Sequence, residues 1–363
     1  MSPLPTGFGE RLTALCGIDS PTDDLGGLER SATLLADWAR LDGLAVELRP
    51  TTAGPIVVIR HQGSAPGRIL LIGHHDTVYP IGTAAARPVR AEGDRLLGPG
   101  VADMKGGLLV GLAALAELAA DRTSTCGLVE LWIVPDEEAR TQQPACLDDW
   151  RGADAAICLE CGRADGSIVT TRSACTWLQI EATGRDAHAG TERAAGRSAL
   201  MALTNEAIRI ERDIHAARPG LQATVTQLNA GTSMNTVPGH ATASIDLRAA
   251  TTPDLQWAIS QVATSATYDG VALRSTNDQG FPPLTRADAL ADHALSILHD
   301  LGAVASEAAA AGASDGSWAS GIGIPTIDGL GPIGGGDHAP GEWIAADSVA
   351  NRVETVRRLC QQG

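Results

Sequence analysis

In the first 170 residues, segments with apolar residues at helical spacing alternate with short apolar runs typical of strands, and this predicts an α/β sheet. Apolar residues at helical spacing predict helices near 28–42 and 105–120. Short runs of mainly branched apolar residues predict buried strands, which lie at 56–60, 68–73, 127–134 and 155–160. Because strands alternate with helices, we expect the βαβ arrangement of an α/β domain.

A different pattern begins near Thr171 and predicts a separate α/β insertion. The segments TWLQIEATG and HATASIDLRA alternate apolar and polar residues, as half-exposed antiparallel strands do. A helical pattern at about 196–217 lies between them. Helical spacing resumes at 287–301, so we expect the last part of the chain to rejoin the first sheet.

The length of 363 residues favours two domains, each able to bury a core. Combined with the change of pattern, it predicts a catalytic domain formed by residues 1–172 and 285–363. A smaller inserted domain is predicted at 173–284.

Composition narrows the class of protein. A hydrophobic content of 44% indicates a globular chain, and a formal charge of −16 argues against a nucleic-acid partner, which needs concentrated Lys and Arg. The amino terminus lacks a signal-peptide pattern, and no run of about 18 uncharged apolar residues predicts a membrane span. Seven scattered cysteines are typical of reduced, buried thiols in a cytosol. We therefore predict a cytoplasmic protein.

Two side chains of metal-ligand type follow the predicted strand at 68–73. His74 and Asp76 lie two residues apart at its carboxyl end, so alternation places them on one side and directs His75 to the other. An imidazole there can bind a metal while a nearby carboxylate accepts its other N–H. Ordinary polar residues after a strand are the alternative.

Carboxylates follow in two further segments. Asp103 lies in a glycine-rich loop before the second predicted helix, where it either caps that helix or approaches a metal site. Asp136, Glu137 and Glu138 follow a predicted strand directly. They form either a solvated acidic turn or, facing a cation, a ligand beside a proton acceptor.

Glu160 and His338 complete the candidate set. Glu160 ends a predicted strand, and His338 lies in the string GGGDHAPGEW. Strand ends of an α/β sheet converge at its carboxyl edge, where such folds bind ligands. A set of His, Asp and Glu donors suits zinc, with cobalt or manganese as alternatives.

Five strings together resemble a known family: GHHDTVYP, GPGVADMKGG, PDEEAR, GRDAHAG and GGGDH. Their order and spacing are similar to those of the zinc-dependent exopeptidases, which include glutamate carboxypeptidase of the carboxypeptidase G type, acetylornithine deacetylase, succinyl-diaminopimelate desuccinylase and aminoacylase. The strings HHDTVYP and DEEA are most similar to those of the glutamate carboxypeptidase branch. The resemblance implies a mixed-sheet α/β catalytic domain with an inserted α+β lid that forms a homodimer. It also implies hydrolysis of an amide bond in a small peptide or N-acyl amino acid.

The resemblance further implies a site for two zinc ions in each chain. His74 and Glu160 would hold one ion, and Glu138 and His338 the other. Asp103 would bridge both ions.

Further roles are implied by the same resemblance. Asp76 would orient the histidine that precedes it by two residues, and Glu137 would be the general base that deprotonates water and later protonates the leaving amine. From the lid, His188 would stabilise the oxyanion in a neighbouring subunit, and Asn235 and Arg248 would contact the substrate. A turn at Asn235 and a strand-edge charge at Arg248 are the structural alternatives.

One segment departs from the glutamate carboxypeptidase pattern. Where these enzymes carry an arginine that binds the substrate α-carboxylate, this chain has the string 279–283, QGFPP. Phenylalanine cannot replace a bidentate guanidinium, so glutamate recognition is not expected unless Arg193, Arg197 or Arg286 supplies it.

Two alternatives to hydrolysis remain open at this point. The altered segment and the unusual loop ARTQQPACLDDW would also fit an acyltransferase that passes the acyl group to an amine at the same site. A non-catalytic paralogue is the other alternative, although the central candidate positions are intact. Cys158 and Cys161 bracket Glu160, and without a second cysteine pair we interpret them as core residues.

Overall fold

A computed structural model describes residues 4–121, 123, 125–140, 142–262, 266–277 and 280–361. The chain divides into two units. The first unit comprises Met1–Thr171, Leu284–Ala310 and Ser314–Gly363, and the second comprises Arg172–Pro283 and Ala311–Ala313. Assignment of the predicted segments 1–172, 173–284 and 285–363 to catalysis and dimerisation stays a prediction.

The described residues form helices and strands in alternation along the chain. The helices are α1 (Phe8–Cys16), α2 (Leu25–Leu41), α3 (Thr83–Ala86), α4 (Gly106–Ala120), α5 (Leu147–Trp150), α6 (Ala199–Arg209), α7 (Thr252–Val262), α8 (Asp288–Asp300), α9 (Asp315–Gly321) and α10 (Val349–Cys360). The strands are β1 (Ala45–Thr51), β2 (Gly54–Gln62), β3 (Arg68–His74), β4 (Arg90–Glu92), β5 (Arg95–Leu97), β6 (Leu128–Val134), β7 (Ala155–Cys158), β8 (Ile168–Arg172), β9 (Ala174–Thr183), β10 (Ala187–His188), β11 (Gln222–Ala230), β12 (Thr236–Val237), β13 (His240–Ala249), β14 (Ala266–Tyr268), β15 (Val271–Asn277), β16 (Glu307–Ala310), β17 (Thr326–Ile327), β18 (Gly334–Gly335) and β19 (Trp343–Ala345).

A mixed sheet organises the first unit. Within the described ranges it has six strands in the order β1-β2-β6-β3-β7-β17. β1, β2 and β6 pair antiparallel, whereas β6, β3, β7 and β17 pair in parallel. The carboxyl ends of β3, β6 and β7 therefore meet at one edge, and His74, Asp136 and Glu160 lie at or just beyond these ends. This confirms the predicted α/β sheet and the return of the last part of the chain to it.

Helix α4 is apolar over most of its surface, with Glu117 as its one charged residue, and it is therefore largely buried among other elements. It contacts α1, α10 and the strands of the central sheet, and Leu108, Leu112 and Leu115 are fully buried. Gly107 permits the closest approach, since a Cβ there would lie 1.9 Å from the carbonyl oxygen of Leu159. The helix thus packs directly against the residue before Glu160.

The second unit contains an antiparallel sheet. Its described strands have the order β11-β13-β9-β15-β14. β13 alternates buried and half-buried residues along its length, and residues of α6 and α7 join its buried face in one apolar core. The helix predicted at 196–217 is shorter than expected. α6 ends at Arg209 and a π turn at Ile210–Ile214 follows, before the backbone reverses at Ala216, whose φ is 57°.

Two remaining expectations concern cysteines and the membrane. All seven cysteines are buried, which confirms their interpretation as small core residues. The candidate metal-binding groups that the described residues form include neither Cys158 nor Cys161. Within the described part of the chain, every helix falls short of the length or the apolar content that crossing a bilayer requires.

Candidate metal centre

His74 is the last residue of β3 and its ring is held from both sides. Its Nδ1 lies 3.0 Å from the carbonyl oxygen of Asp76 and 3.2 Å from that residue's Oδ1. Both side chains are almost fully buried. His75 is buried too, but its Nε2 lies 3.0 Å from the carbonyl oxygen of Pro55, away from the carboxylates. The arrangement fixes the His74 ring and leaves its Nε2 directed at Asp103.

Asp103 does not cap the helix that follows it. The residue at the N-cap position of α4 is Lys105, and Asp103 lies in an irregular turn with a cis peptide bond to Met104. Its Oδ1 lies 3.0 Å from Nε2 of His74, and its Oδ2 lies 3.0 Å from Nε2 of His338. The carboxylate therefore stands between two imidazoles.

Two groups of potential ligands share this carboxylate. His74, Asp103 and Glu160 form one, and Asp103, Glu138 and His338 form the other; in each group one ligand atom per residue lies within 4.8 Å of the others. Nε2 of His74 is 3.6 Å from Oε1 of Glu160, and Nε2 of His338 is 3.1 Å from Oε2 of Glu138. The structure thus brings together all five residues that the sequence nominated as ligands.

The electrostatics of these residues fit cations. Burial and the negative charge of Asp103 raise the pKa of Glu138 and of Glu160. Hydrogen bonds to carboxylates raise the pKa of His338 to about 11. In addition, Oε1 of Glu138 is buried without a hydrogen-bond partner among the described residues. Carboxylates crowded in this way repel one another unless cations compensate them, so the site fits divalent metal ions.

The loop after β6 places Glu137 beside these ligands. Oδ1 of Asp76 accepts the backbone N–H of Glu137 at 3.1 Å, and Oδ2 accepts that of Glu138 at 3.0 Å. Oδ2 also accepts the hydroxyl of Thr22 at 2.7 Å. Burial raises the pKa of the half-buried Glu137 to about 8. Asp76 therefore fixes both the ring of His74 and the backbone of Glu137 and Glu138.

The same loop is held in place by an ion pair that the sequence did not predict. Arg140 donates from Nη1 to Oδ1 of Asp136 at 2.6 Å and from Nη2 to Oδ1 of Asp315. The side chains of Arg140 and Asp315 are 5% and 1% exposed. The acidic run at 136–138 is thus partly neutralised by a buried guanidinium rather than by solvent.

A second unpredicted contact concerns Glu342, at the start of the segment that leads into β19. Its side chain is buried and its carboxylate accepts the backbone N–H groups of Gly100, Ala102 and Asp103 at 2.8, 2.8 and 2.9 Å. The hydroxyl of Tyr79 donates to the same carboxylate at 2.6 Å. Glu342 lies in the string GGGDHAPGEW, but only the part of that string around His338 matched the family pattern.

The three candidate substrate residues lie in the second unit. His188 and Asn235 are neighbours, since the N–H of Ala189 donates to the carbonyl oxygen of Asn235 at 2.8 Å. Nδ1 of His188 accepts the N–H groups of Gly190 and Thr191, both at 3.1 Å. A neutral ring with this acceptor must carry its proton on Nε2.

Arg248 has partners inside the second unit. Its guanidinium forms a bidentate pair with Asp246 at 2.8 and 3.0 Å and donates to the carbonyl oxygen of Ala311 at 2.7 Å. Phe281 is 3% exposed and packs edge-on against Trp177, with ring centroids 6.2 Å apart. Gln279, the first residue of the altered string, lies outside the described residues.

The arginines considered as replacements differ in their surroundings. Arg286 in the first unit is engaged by three carboxylates, which belong to Asp288, Asp292 and Glu307. Arg193 and Arg197 line an open cleft of about 770 Å³ in the second unit. Arg286 is therefore already neutralised.

Histidine and carboxylate donors grouped at the carboxyl edge of a mixed α/β sheet are typical of a metal-dependent enzyme. The chain belongs to peptidase family M20/M25/M40, whose sequence profile matches residues 70–362. This confirms the resemblance drawn from the five sequence strings. The chain is accordingly a hydrolytic enzyme of a metal-dependent family of peptidases and amidohydrolases.

Similar proteins agree with this assignment. Carboxypeptidase G2 of a Pseudomonas species is 27% identical over 363 residues, covering 96% of this chain and 87% of that protein. A putative succinyl-diaminopimelate desuccinylase of Mycobacterium tuberculosis is 30% identical over 335 residues, covering 84% and 85%. Among solved structures, a tripeptidase from Staphylococcus aureus has a TM-score of 0.82 at 19% identity, covering 99% of each chain. An M20 family metallo-carboxypeptidase from Sulfolobus solfataricus has a TM-score of 0.77 at 16% identity, covering 98% and 99%. These two structures share the fold.

Proposed function

We propose that the chain hydrolyses the amide bond of a small peptide or N-acyl amino acid, using two zinc ions and Glu137 as general base. The observation that carries this proposal is the pair of ligand groups that share Asp103, with Glu137 beside them. Membership of the family supports the reaction class, and the geometry of these side chains supports the role proposed for each residue.

The metal ions would be held by the two groups already described. His74, Asp103 and Glu160 would bind one ion, and Asp103, Glu138 and His338 the other. When bound, such ions supply the Lewis acidity that activates water and polarises the scissile carbonyl. Nitrogen and oxygen donors of this kind suit zinc, and they also accept cobalt or manganese.

Proton transfer is assigned to Glu137. Its carboxylate takes a proton as the water oxygen forms its bond to the carbonyl carbon, and returns the proton to the amide nitrogen as the C–N bond breaks. The products are a carboxylic acid and an amine, and Glu137 ends in its starting state. Asp76 holds the backbone of this loop, which keeps the base in place through both transfers.

For the second unit we propose substrate contacts by His188, Asn235 and Arg248. The hydrogen bonds to Nδ1 of His188 leave its Nε2–H as a donor, which is the form required to stabilise an oxyanion. Names of similar proteins include a carboxypeptidase and a desuccinylase. Because a buried phenylalanine stands at position 281, the proposal covers amide hydrolysis and not selectivity for glutamate.

A homodimer through the second unit is part of the proposal. Met201 and Ile208 on α6 are each 54% exposed, and Leu228 on β11 is 37% exposed. β11 is also an edge strand of the described sheet. Exposed apolar residues next to an unpaired strand edge favour association with a second copy of the same surface.

The test of the reaction is Glu137→Gln, which preserves shape and removes the proton acceptor. Turnover of a panel of dipeptides and N-acyl amino acids, read by amine release, is expected to fall by roughly 10²–10⁴-fold. Metal content, measured by mass spectrometry, should remain two ions per chain. Glu117→Gln, which changes a carboxylate that is 51% exposed on α4, is the matched control and should leave both quantities unchanged.

Two results would contradict the proposal. Wild-type turnover by Glu137→Gln with its metals in place would remove the general base from the mechanism. Formation of a new amide when a second amine is added, in place of free acid, would show acyl transfer rather than hydrolysis.

A further inference from the structure

Glu342 is a buried carboxylate without a part in the reaction as proposed above. Its hydrogen bonds reach the loop that carries Asp103, more than 200 residues away in sequence. Oε1 accepts the N–H groups of Ala102 and Asp103, and Oε2 accepts the N–H of Gly100 and the hydroxyl of Tyr79. We propose that Glu342 is a positioning residue that fixes the carboxylate of Asp103 and thereby sets the affinity of the chain for its metal pair. This inference rests on the proposed function.

The loop needs such a partner because its backbone is irregular. Gly100 has a φ of 74°, and Asp103 has a φ of −115° and a ψ of 93°, so neither residue belongs to the helix that starts at Gly106. Buried N–H groups in such a loop need acceptors, because an unsatisfied donor that has lost its water destabilises the fold. A single carboxylate provides acceptors for three of them.

Position matters more for Asp103 than for the other ligands, because it belongs to both ligand groups. Its two oxygens lie 3.0 Å from His74 and 3.0 Å from His338. A rotation of its backbone would therefore disturb both groups together. Since Glu342 accepts the N–H of Asp103 itself, it acts on this residue directly and not through an intervening segment.

A general loss of stability has to be distinguished from a specific loss of positioning. Glu130 offers a matched control, since it is also a buried glutamate with several hydrogen bonds. Its carboxylate is 4% exposed and binds Arg60 and Arg68, both at 2.7 Å, along the strands and not at the ligand edge. Glu130→Gln should therefore reduce stability without changing metal binding.

The experiment compares the full-length wild type with Glu342→Gln and Glu130→Gln. Metal-free proteins are titrated with Zn²⁺ to obtain stoichiometry and affinity, and with Co²⁺ to record the visible absorption spectrum. Removal of a partner that orients a ligand typically lowers metal affinity by about 10–100-fold. We expect this loss and an altered cobalt spectrum for Glu342→Gln, whereas Glu130→Gln should match the wild type in both.

A second variant covers the case in which Glu342→Gln does not fold. Glu342→Asp keeps the charge but withdraws the carboxylate by about one bond, or 1.5 Å, and should show an intermediate affinity. Wild-type affinity and spectrum in the folded Glu342 variants would overturn the inference. Fewer than two ions bound by the wild type itself would instead overturn the proposed function.

Discussion

Arg140 forms a buried ion pair next to the loop that carries Glu137 and Glu138, so its removal should have a large effect on stability. Its guanidinium is 5% exposed and pairs with Asp315, which is 1% exposed, and with Asp136 at 2.6 Å. Arg140→Met keeps an unbranched apolar stem and removes the charged guanidinium. Asp315 is then a buried carboxylate without its countercharge.

The expected cost follows from this burial. Removing one partner of a buried ion pair costs about 3–5 kcal/mol, against about 0–1 kcal/mol for an exposed pair. For a unit of this size each kcal/mol lowers Tm by roughly 2–4 °C, so Arg140→Met should melt roughly 6–20 °C below the wild type. Asp315→Leu leaves the guanidinium with Asp136 as its remaining partner and should therefore cost less than Arg140→Met.

A double-mutant cycle measures the pair itself. Because apolar replacement of both partners is often neutral, Arg140→Met combined with Asp315→Leu should recover much of the stability lost by either change. Urea unfolding of the four proteins gives the coupling, expected near the upper end of roughly 0.5–3 kcal/mol. Additive effects, or a loss below about 1 kcal/mol for Arg140→Met, would refute the buried pair as a stabilising contact.

Two further predictions concern pH and assembly. Burial raises the pKa of Glu130, but hydrogen bonds from Arg60 and Arg68 lower it by more, so the net shift is downward. Its contribution to stability is present above its unfolded pKa of about 4.3 and is lost as the pH falls through the lower folded pKa. Glu130→Gln should thus be less stable by about 1.5–3 kcal/mol at pH 7, and the difference in urea unfolding should shrink below about pH 4; a constant difference would contradict the assignment. Light scattering should give twice the chain mass for the wild type and one chain mass for Ile208→Asp, whereas a monomeric wild type would contradict the proposed dimer.

The periodic elements and the five candidate ligand positions could be picked out because their signals are local. His74 follows a buried strand, Glu160 follows another, and His338 lies in a recognisable string. Parallel pairing then brings strand ends together at one edge, and this needs no knowledge of particular contacts. Asp103 was ambiguous in sequence, and the structure decides against the helix cap.

The supporting contacts could not be predicted because their partners are distant. Arg140 and Asp315 are 175 positions apart, and Glu342 and Gly100 are 242 positions apart. Neither pair has a periodicity, and a buried glutamate looks like a surface one in a single sequence. Only the tertiary fold shows which carboxylates lie in a candidate metal-binding group and which accept hydrogen bonds from backbone N–H groups.

The ligand set is also distributed in a way that bears on synthesis of the chain. His74 and Glu160 precede the second unit, whereas His338 and Glu342 come near the carboxyl end. A growing chain therefore contains four of the five candidate ligands long before His338 is made, and domains tend to fold from the amino terminus first. The first unit must wait for β17 before its central sheet is complete, and for His338 before its second candidate metal-binding group is complete. The group formed by His74, Asp103 and Glu160 needs no later residue, so the two candidate groups are completed at different stages of synthesis.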